Sequence, residues 1–174
     1  MSDLGLSLRR PRPEDAAAIW RLLPAIGGLE RNTAYAYLLL CSHFADTSIV
    51  AERGGEVVGF VAGYRPPTQP DAVFVWQVGV APSARGEGLG GRMLDGVLAM
   101  PGCRDVRYLT ATVSPDNEAS LALFRAFARR RQVPCEEGPG FPAPLFPEPH
   151  PDENLIRIGP LAAPSRKESH ADHR

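Results

Sequence analysis

The apolar run Ala72-Val73-Phe74-Val75-Trp76-Gln77-Val78-Gly79-Val80 is followed, after Ala81-Pro82-Ser83-Ala84, by Arg85-Gly86-Glu87-Gly88-Leu89-Gly90-Gly91, where a helical pattern opens and runs to about Met100. A strand that passes through glycines into a helix places the chain among α/β architectures with an anion site at the turn. The N–H groups of a helix's first turn lack intrahelical partners and carry the positive end of its dipole. Glycines let a pyrophosphate approach that backbone with no Cβ in the way. Arg85 can add charge-assisted hydrogen bonds at the rim. Such a loop, taken alone, could also be nothing more than a tight turn. Read literally, Gly86-x-Gly88-x-x-Gly91 is also a dinucleotide fingerprint, with Asp105 as its acidic partner. That reading fails because Ala81 to Arg85 separate the strand from the first glycine, and too little chain follows Gly91 to complete a doubly wound sheet. A phosphate-binding P-loop fails as well, since no Gly-Lys-Ser/Thr follows.

The remaining segments can be placed around this turn. Leu6-Ser7-Leu8-Arg9 reads as a short strand ended by Pro11 and Pro13. Glu14 and Asp15 open a helix with Ile19, Leu22 and Leu23 on one face, and Pro24 is expected to close it. Gly27-Gly28 break the chain before a second helix over about 33–44. Residues 48–53 and 56–64 are β-rich runs joined at Gly54-Gly55, a hairpin signal. A strand over 106–113 and an amphipathic helix from Asn117 to about Arg130 follow. Beyond Arg131 the prolines at 134, 139, 142, 144, 147, 149 and 151 argue against helix, and Leu155–Ile158 is expected to be the last strand. The order β-α-α-β-β-β-α-β-α-β predicts an α/β fold with one central mixed sheet. Residues 1–161 are expected to form a single domain, and 162–174 a disordered tail.

Composition narrows the functional classes. With 19 basic and 20 acidic residues, the formal net charge of −1 gives no bulk attraction to nucleic acid or anionic membrane. No apolar run reaches the roughly 20 residues of a membrane helix. Met1-Ser2-Asp3-Leu4-Gly5 has no basic segment followed by an apolar one, so no secretory signal is expected. The three cysteines, Cys41, Cys103 and Cys135, are widely spaced and form no CxxC pair. They read as small hydrophobes rather than as a disulfide framework or metal site, and fit a reducing cytoplasm.

Arg85-Gly86-x-Gly88-x-Gly90 after a strand resembles the acetyl-CoA loop of the GNAT superfamily of N-acetyltransferases. A second block agrees with it: Asn117-Glu118-Ala119-Ser120-Leu121-Ala122-Leu123-Phe124 is similar to the family's Asn-x-x-Ala/Ser-x-x-Leu-Phe/Tyr element. The resemblance implies a mostly antiparallel mixed sheet with a splayed strand pair, flanked by helices. It implies acetyl-CoA as co-substrate and no metal. The cofactor would be held by Arg85, Gly86, Gly88, Leu89 and Gly90 at the pyrophosphate, and by Val78, Val80, Asn117 and Ser120 along the pantetheine. An amide near Val78 would face the thioester carbonyl as an oxyanion donor. Asn117 read alone is equally a helix N-cap.

Three more segments are similar to the diaminobutyrate acetyltransferases of ectoine synthesis: residues 30–44, residues 59–67 with 74–78, and His150-Pro151-Asp152-Glu153. That resemblance implies acetyl transfer to the γ-amine of L-2,4-diaminobutyrate, and a homodimer. A substrate with two ammonium groups and one carboxylate calls for acids, a ring and a donor. Glu30, Asn32, Thr33, Tyr35, Trp76, Gln77, Thr112, His150 and Glu153 are the candidates to bind it, with Trp76 as a wall or cation–π surface. Read singly, Trp76 and Tyr37 are core residues, Glu30 a first-turn acid and His150 a solvated loop residue; the resemblance moves all but Tyr37 into the site. The chain departs from the family pattern at Glu30, where an aspartate is usual, and at Thr110-Ala111, where an acid and a hydroxyl are usual.

Direct transfer within a ternary complex is the expected mechanism. A primary ammonium must first lose a proton, and Glu30, Glu153 and His150 are the candidate bases. No cysteine stands beside a matched histidine to suggest an acetyl-enzyme. Phe124 occupies the position where many family members carry a tyrosine acid. Two other readings stand beside this one: an acetyltransferase for another small diamine or lysine-like amine, and a non-catalytic acetyl-CoA-binding module.

Overall fold

The N-terminal half builds antiparallel strands around one sharp hairpin in the computed structural model, which describes residues 5–162. Strands β2 (Ile49–Arg53) and β3 (Glu56–Tyr64) meet at Gly54-Gly55, whose φ values of 59° and 83° are the positive pair that a two-residue type I′ turn demands. On the far side of β2 lies β1 (Leu6–Arg9). Strand β4 (Ala72–Val80) pairs antiparallel with β3 and parallel with β5 (Tyr108–Val113). Strand β7 (Glu153–Ile158) inserts between β5 and β6 (Cys135–Phe141), giving a seven-stranded sheet in the order β1-β2-β3-β4-β5-β7-β6. The mixed, mostly antiparallel sheet is the one the resemblance implied. Apart from Ala162, the tail expected beyond residue 161 lies outside the described residues.

Sequence reasoning missed β6. Gly138-Pro139-Gly140 looks like a loop, and the register against β7 does shift between Gly138 and Phe141. Proline is tolerated there because β6 is the edge strand, where a missing N–H breaks no ladder bond. A Cβ on Gly140 would fall 2.1 Å from the Glu153 carbonyl oxygen, so glycine permits the close approach of the two strands.

Helices α1 (Asp15–Ile26) and α2 (Ala34–His43) cover one face of the sheet, and α3 (Leu89–Ala99) and α4 (Glu118–Arg131) the other. The first core sets Ala16, Ile19, Leu23, Tyr37, Leu40 and Cys41 against Val50, Phe60 and Ala62. The second sets Leu89, Met93, Leu94, Val97, Phe124 and Phe127 against Val73, Val75, Leu109, Ile156 and Ile158. Helix α1 runs past Pro24, contrary to the expectation that proline closes it. In the last turn Pro24 gives up one backbone bond, and the helix ends instead at Gly27, with φ 70° and its N–H on the Leu23 carbonyl at 3.3 Å. At the other end, Arg9 donates to both carboxylate oxygens of Asp15 at 2.8 Å, and the Arg12 N–H adds a bond at 2.7 Å. Burial opposes a charge at Asp15, but these bonds hold its carboxyl below the ordinary carboxylate range.

The sheet opens between β4 and β5. Pairing covers only Ala72–Phe74 against Tyr108–Thr110. Just beyond, Gly63 pairs with Val75 and Ala62 with Gln77, so Trp76 is an extra residue bulged out of β4. The bulge reverses side-chain parity. Val73 and Val75 belong to the α3/α4 core before it, and Val78 and Val80 pack on that same core after it. Gln77 is thereby turned toward α2.

Candidate active site

Two connected hollows lie where β4 leaves β5. A cavity of about 490 Å³ lies between Glu30, Asn32, Trp76 and Gln77 on one side and Thr112, His150 and Glu153 on the other. A groove of about 520 Å³ runs from Val78 and Val80 past Arg85, Gly86, Gly88, Leu89 and Gly90. Gly28, Leu29, Val78, Asn117 and Ser120 line both, so the two meet at Val78.

The groove has the chemistry of an anion cradle. Gly86 and Gly88 have φ of 77° and 69°, and a Cβ on either would meet nothing within 4 Å, so their backbone faces open space. Gly88 is the left-handed N-cap of α3, whose first N–H groups therefore open toward the groove. Leu89 lines the groove but its side chain is buried in the core, which leaves its amide as the group available there. Arg85 donates to the Ile26 carbonyl and ties the end of α1 to this loop. Asn117 is the N-cap of α4, its Oδ1 accepting from the Ser120 N–H at 3.1 Å.

Backbone polarity in β4 follows from one bond. The Ala81 N–H donates to the Val58 carbonyl on β3 at 2.8 Å. Because successive N–H groups alternate along a strand, those of Val80 and Val78 point away from β3, into the opening toward β5. An amide pair aimed into a split at the head of an anion groove is suited to hold an extended polar chain and to face a carbonyl oxygen.

The cavity's floor and roof come from different parts of the chain. Gln77 is 6% exposed; its Oε1 accepts from the Tyr37 hydroxyl at 3.1 Å and its Nε2 donates to the Glu30 carbonyl at 2.9 Å. It therefore pins the α1–α2 connection to the bulge of β4, with both ends of its amide engaged. The Trp20 indole adds a bond to the Asn32 carbonyl at 3.1 Å. Trp76 stacks beside Tyr37, ring centroids 6.2 Å apart. Across the opening, the His150 ring lies on Phe146 at 3.9 Å, with its Nδ1 2.7 Å from the Pro151 carbonyl and its Nε2 3.8 Å from Glu153 Oε1. Burial pushes the Glu153 carboxyl above its ordinary value, although His150 and the Thr112 hydroxyl pull it back.

Most of the residues proposed from sequence meet here; two do not. Thr33 caps α2, its Oγ1 accepting from the Ala36 N–H at 3.3 Å, and does not line the cavity. Tyr35 is 67% exposed. Tyr37 is buried against the sheet, and a residue two positions away lies about 200° round the helix, on the outer side. Tyr64, Phe74, Phe141 and Phe146 line the cavity and were not anticipated. Phe141 and Phe146 each precede a proline, a step that favours extended backbone and could have marked the roof. Phe124 lines the cavity as a buried ring, with no hydroxyl to offer. None of the three cysteines lines cavity or groove, and burial pushes the thiols of Cys41 and Cys103 up to about 12.

The strand split, the inward amides and the glycine-opened helix together define an acyl-CoA-dependent transferase site. The chain belongs to the acetyltransferase (GNAT) family, whose model matches residues 16–128. It is 46% identical over 157 residues to the L-2,4-diaminobutyric acid acetyltransferase of Shouchella clausii (strain KSM-K16), covering 90% of this chain and 88% of that one. It is 47% identical over 155 residues to the enzyme of the same name from Nocardia farcinica, covering 89% and 80%. Among solved structures it is similar to the diaminobutyrate acetyltransferase EctA of Paenibacillus lautus, in complex with L-2,4-diaminobutyric acid and coenzyme A. That match has a TM-score of 0.86 and 40% identity, and covers 90% of this chain and 96% of that one.

Proposed function

We propose that this protein transfers acetyl from acetyl-CoA to the γ-amine of L-2,4-diaminobutyrate, giving N4-acetyl-diaminobutyrate, the step that the family resemblance assigns to ectoine synthesis. The observation that carries the reading is the junction at Val78: a groove fitted to a pyrophosphate-bearing chain opens into a small cavity with Glu30 and Glu153 on its walls. The Gly86–Gly90 amides and Arg85 would hold the pyrophosphate, and Val80, Asn117 and Ser120 the pantetheine arm. When bound, the thioester supplies an electrophilic carbonyl beside the Val78 N–H, which stabilises charge developing on its oxygen.

Glu30 is the partner for the α-ammonium, in a pocket walled by Trp76, Asn32 and the roof phenylalanines. Glu153 is the base. Its raised pKa brings it closer to the operating pH and makes it a better proton acceptor than an ordinary carboxylate. His150, with Nδ1 at the Pro151 carbonyl and Nε2 toward Glu153, orients that carboxylate and offers the proton an exit. The buried, high-pKa thiols support direct transfer without an acetyl-enzyme. Thr112 contacts Glu153 and acts through it, while Gln77 acts through the Glu30 loop. Thr33 and Tyr35 are assigned no contact.

Thiol release from acetyl-CoA, measured with diaminobutyrate, ornithine, lysine and a peptide N-terminus, tests the reading. Diaminobutyrate is expected to be preferred by kcat/KM; equal turnover of all four would refute the specific assignment, and CoA binding with no release would refute catalysis. The protein is further proposed to work in the cytoplasm as a pair of copies, with the exposed Tyr35, Leu38 and Phe44 as apolar surface for the contact. A monomer mass in sedimentation would refute the pairing, and recovery of the protein from an extracytoplasmic fraction the location.

A further inference from the structure

The charges around the cavity do not match diaminobutyrate as a whole. Two carboxylates, Glu30 and Glu153, line it, and no arginine or lysine does so among the described residues. The guanidinium groups that flank its lining in sequence are engaged elsewhere: Arg31 lies on the Trp20 ring at 3.3 Å, Arg65 pairs with Asp105 at 2.7 Å, Arg125 donates to Glu137 at 2.8 Å, and Arg157 lies on Tyr108 at 3.6 Å. Arg85 is on the groove side, bonded to the Ile26 carbonyl. His150 is the histidine of the lining, and its Nε2 already faces Glu153 at 3.8 Å. The rest of the lining combines aromatic rings, such as Trp76, Phe141 and Phe146, with neutral polar side chains, such as Asn32, Thr112 and Ser114. Such a cavity recognises two ammonium groups and leaves the substrate's carboxylate to neutral donors or to water.

Resting on the proposed reading of this site, we infer that the enzyme also acetylates short diamines that have no carboxylate, with 1,3-diaminopropane as the representative. That diamine keeps the N-C-C-C-N spacing between the α- and γ-amines of diaminobutyrate and removes only the carboxylate. One ammonium rests on Glu30 and the other gives a proton to Glu153. The freed nitrogen lone pair forms the C–N bond to the thioester carbonyl carbon, and the C–S bond breaks with its electron pair on the CoA sulfur. The nitrogen's second proton leaves to the thiolate. Diammonium plus acetyl-CoA thus yields the monoacetylated diamine, CoA thiol and one released proton, with no further reactant.

The test compares kcat/KM for diaminobutyrate, 1,3-diaminopropane and 4-aminobutyrate, which keeps the carboxylate and the reacting amine but drops the α-amine. Removing an ammonium that pairs with a carboxylate costs more than removing a group held only by water. The expected order is 1,3-diaminopropane within about tenfold of diaminobutyrate, and 4-aminobutyrate lower by about 30-fold or more. In Glu30→Gln, the gap between 1,3-diaminopropane and 4-aminobutyrate should narrow, because the distinction rests on that carboxylate. If diaminobutyrate is turned over while 1,3-diaminopropane falls below 4-aminobutyrate, the inference is overturned and the assigned function stands. If 1,3-diaminopropane is turned over and diaminobutyrate is not, the inference stands and the assigned function falls. Turnover of neither diamine overturns both.

Discussion

Replacing Gln77 by leucine should loosen the substrate side of the site while leaving the fold intact. The side chain is 6% exposed and joins the hydroxyl of Tyr37, itself 1% exposed, to the Glu30 carbonyl. Leucine leaves the Tyr37 hydroxyl proton without an acceptor in the core, its oxygen keeping only the Asn32 N–H at 3.5 Å, whereas the Glu30 carbonyl sits in a partly exposed loop and can turn to water. One buried unsatisfied group and one lost bond amount to about 2 kcal/mol, which lowers Tm by about 4–8 °C in a domain of this size. Tyr37→Phe should cost about 1–2 kcal/mol, because it strands the Gln77 oxygen and takes the acceptor from the Asn32 N–H. The double variant strands neither partner of that bond. Its cost should fall short of the sum by about 1 kcal/mol, readable in a urea-melt double-mutant cycle. Gln77→Leu should also raise KM for the amine more than KM for acetyl-CoA, since it releases the loop carrying Glu30. Additive stabilities together with an unchanged amine KM would refute this account of Gln77.

Four further substitutions probe other parts of the structure. Glu153→Gln should lower kcat by about 10²–10⁴-fold, the usual contribution of a positioned general base. In the native enzyme activity should fall on acidification through a pKa above the ordinary carboxylate range, because the base must be unprotonated and burial raises its pKa. Thr112→Val removes a bond to the charged form and should move that acidic limb to higher pH. Gly88→Val forces a β-branched residue to φ 69°, at about 1–2 kcal/mol, and puts a side chain into the groove. It should raise KM for acetyl-CoA well beyond KM for the amine, and equal rises would count against the cradle. Asp15→Asn should flatten the stability loss in acid. The lowered carboxyl stabilises the fold above its unfolded pKa, and that stability disappears as pH falls through the folded value; chemical denaturation at several pH values reads the difference.

The half of the chain built on local rules was legible in advance. Gly54-Gly55 announces its hairpin, and Gly86 and Gly88 announce a backbone facing open space, because each requires a conformation or an openness that other residues resist. Asn117 was read both as an N-cap and as part of the groove, and it is placed as both. What escaped depends on contacts between distant segments. Strand β6 is hidden by Pro139, which only an edge position tolerates, and the sequence does not mark which strand is the edge. The bulge at Trp76 is a mismatch of register between β3 and β4, and has no signature in either strand alone. Without the bulge, Gln77 and Val78 would exchange faces; taken as a plain strand, the run therefore hid that Gln77 is a brace for the Glu30 loop. Tyr37 is core, as its sequence reading had it, but Tyr35, expected at the substrate, is left 67% exposed by the packing of α2.

In the proposed reaction the Val78 junction presents the γ-nitrogen of diaminobutyrate to the thioester. The most direct test is the site of acetylation: incubation with acetyl-CoA and diaminobutyrate, then fragmentation mass spectrometry of the product. One acetyl group per released thiol is expected, carried on the γ-nitrogen. Acetyl on the α-nitrogen, or thiol release with no acetylated amine, would contradict it.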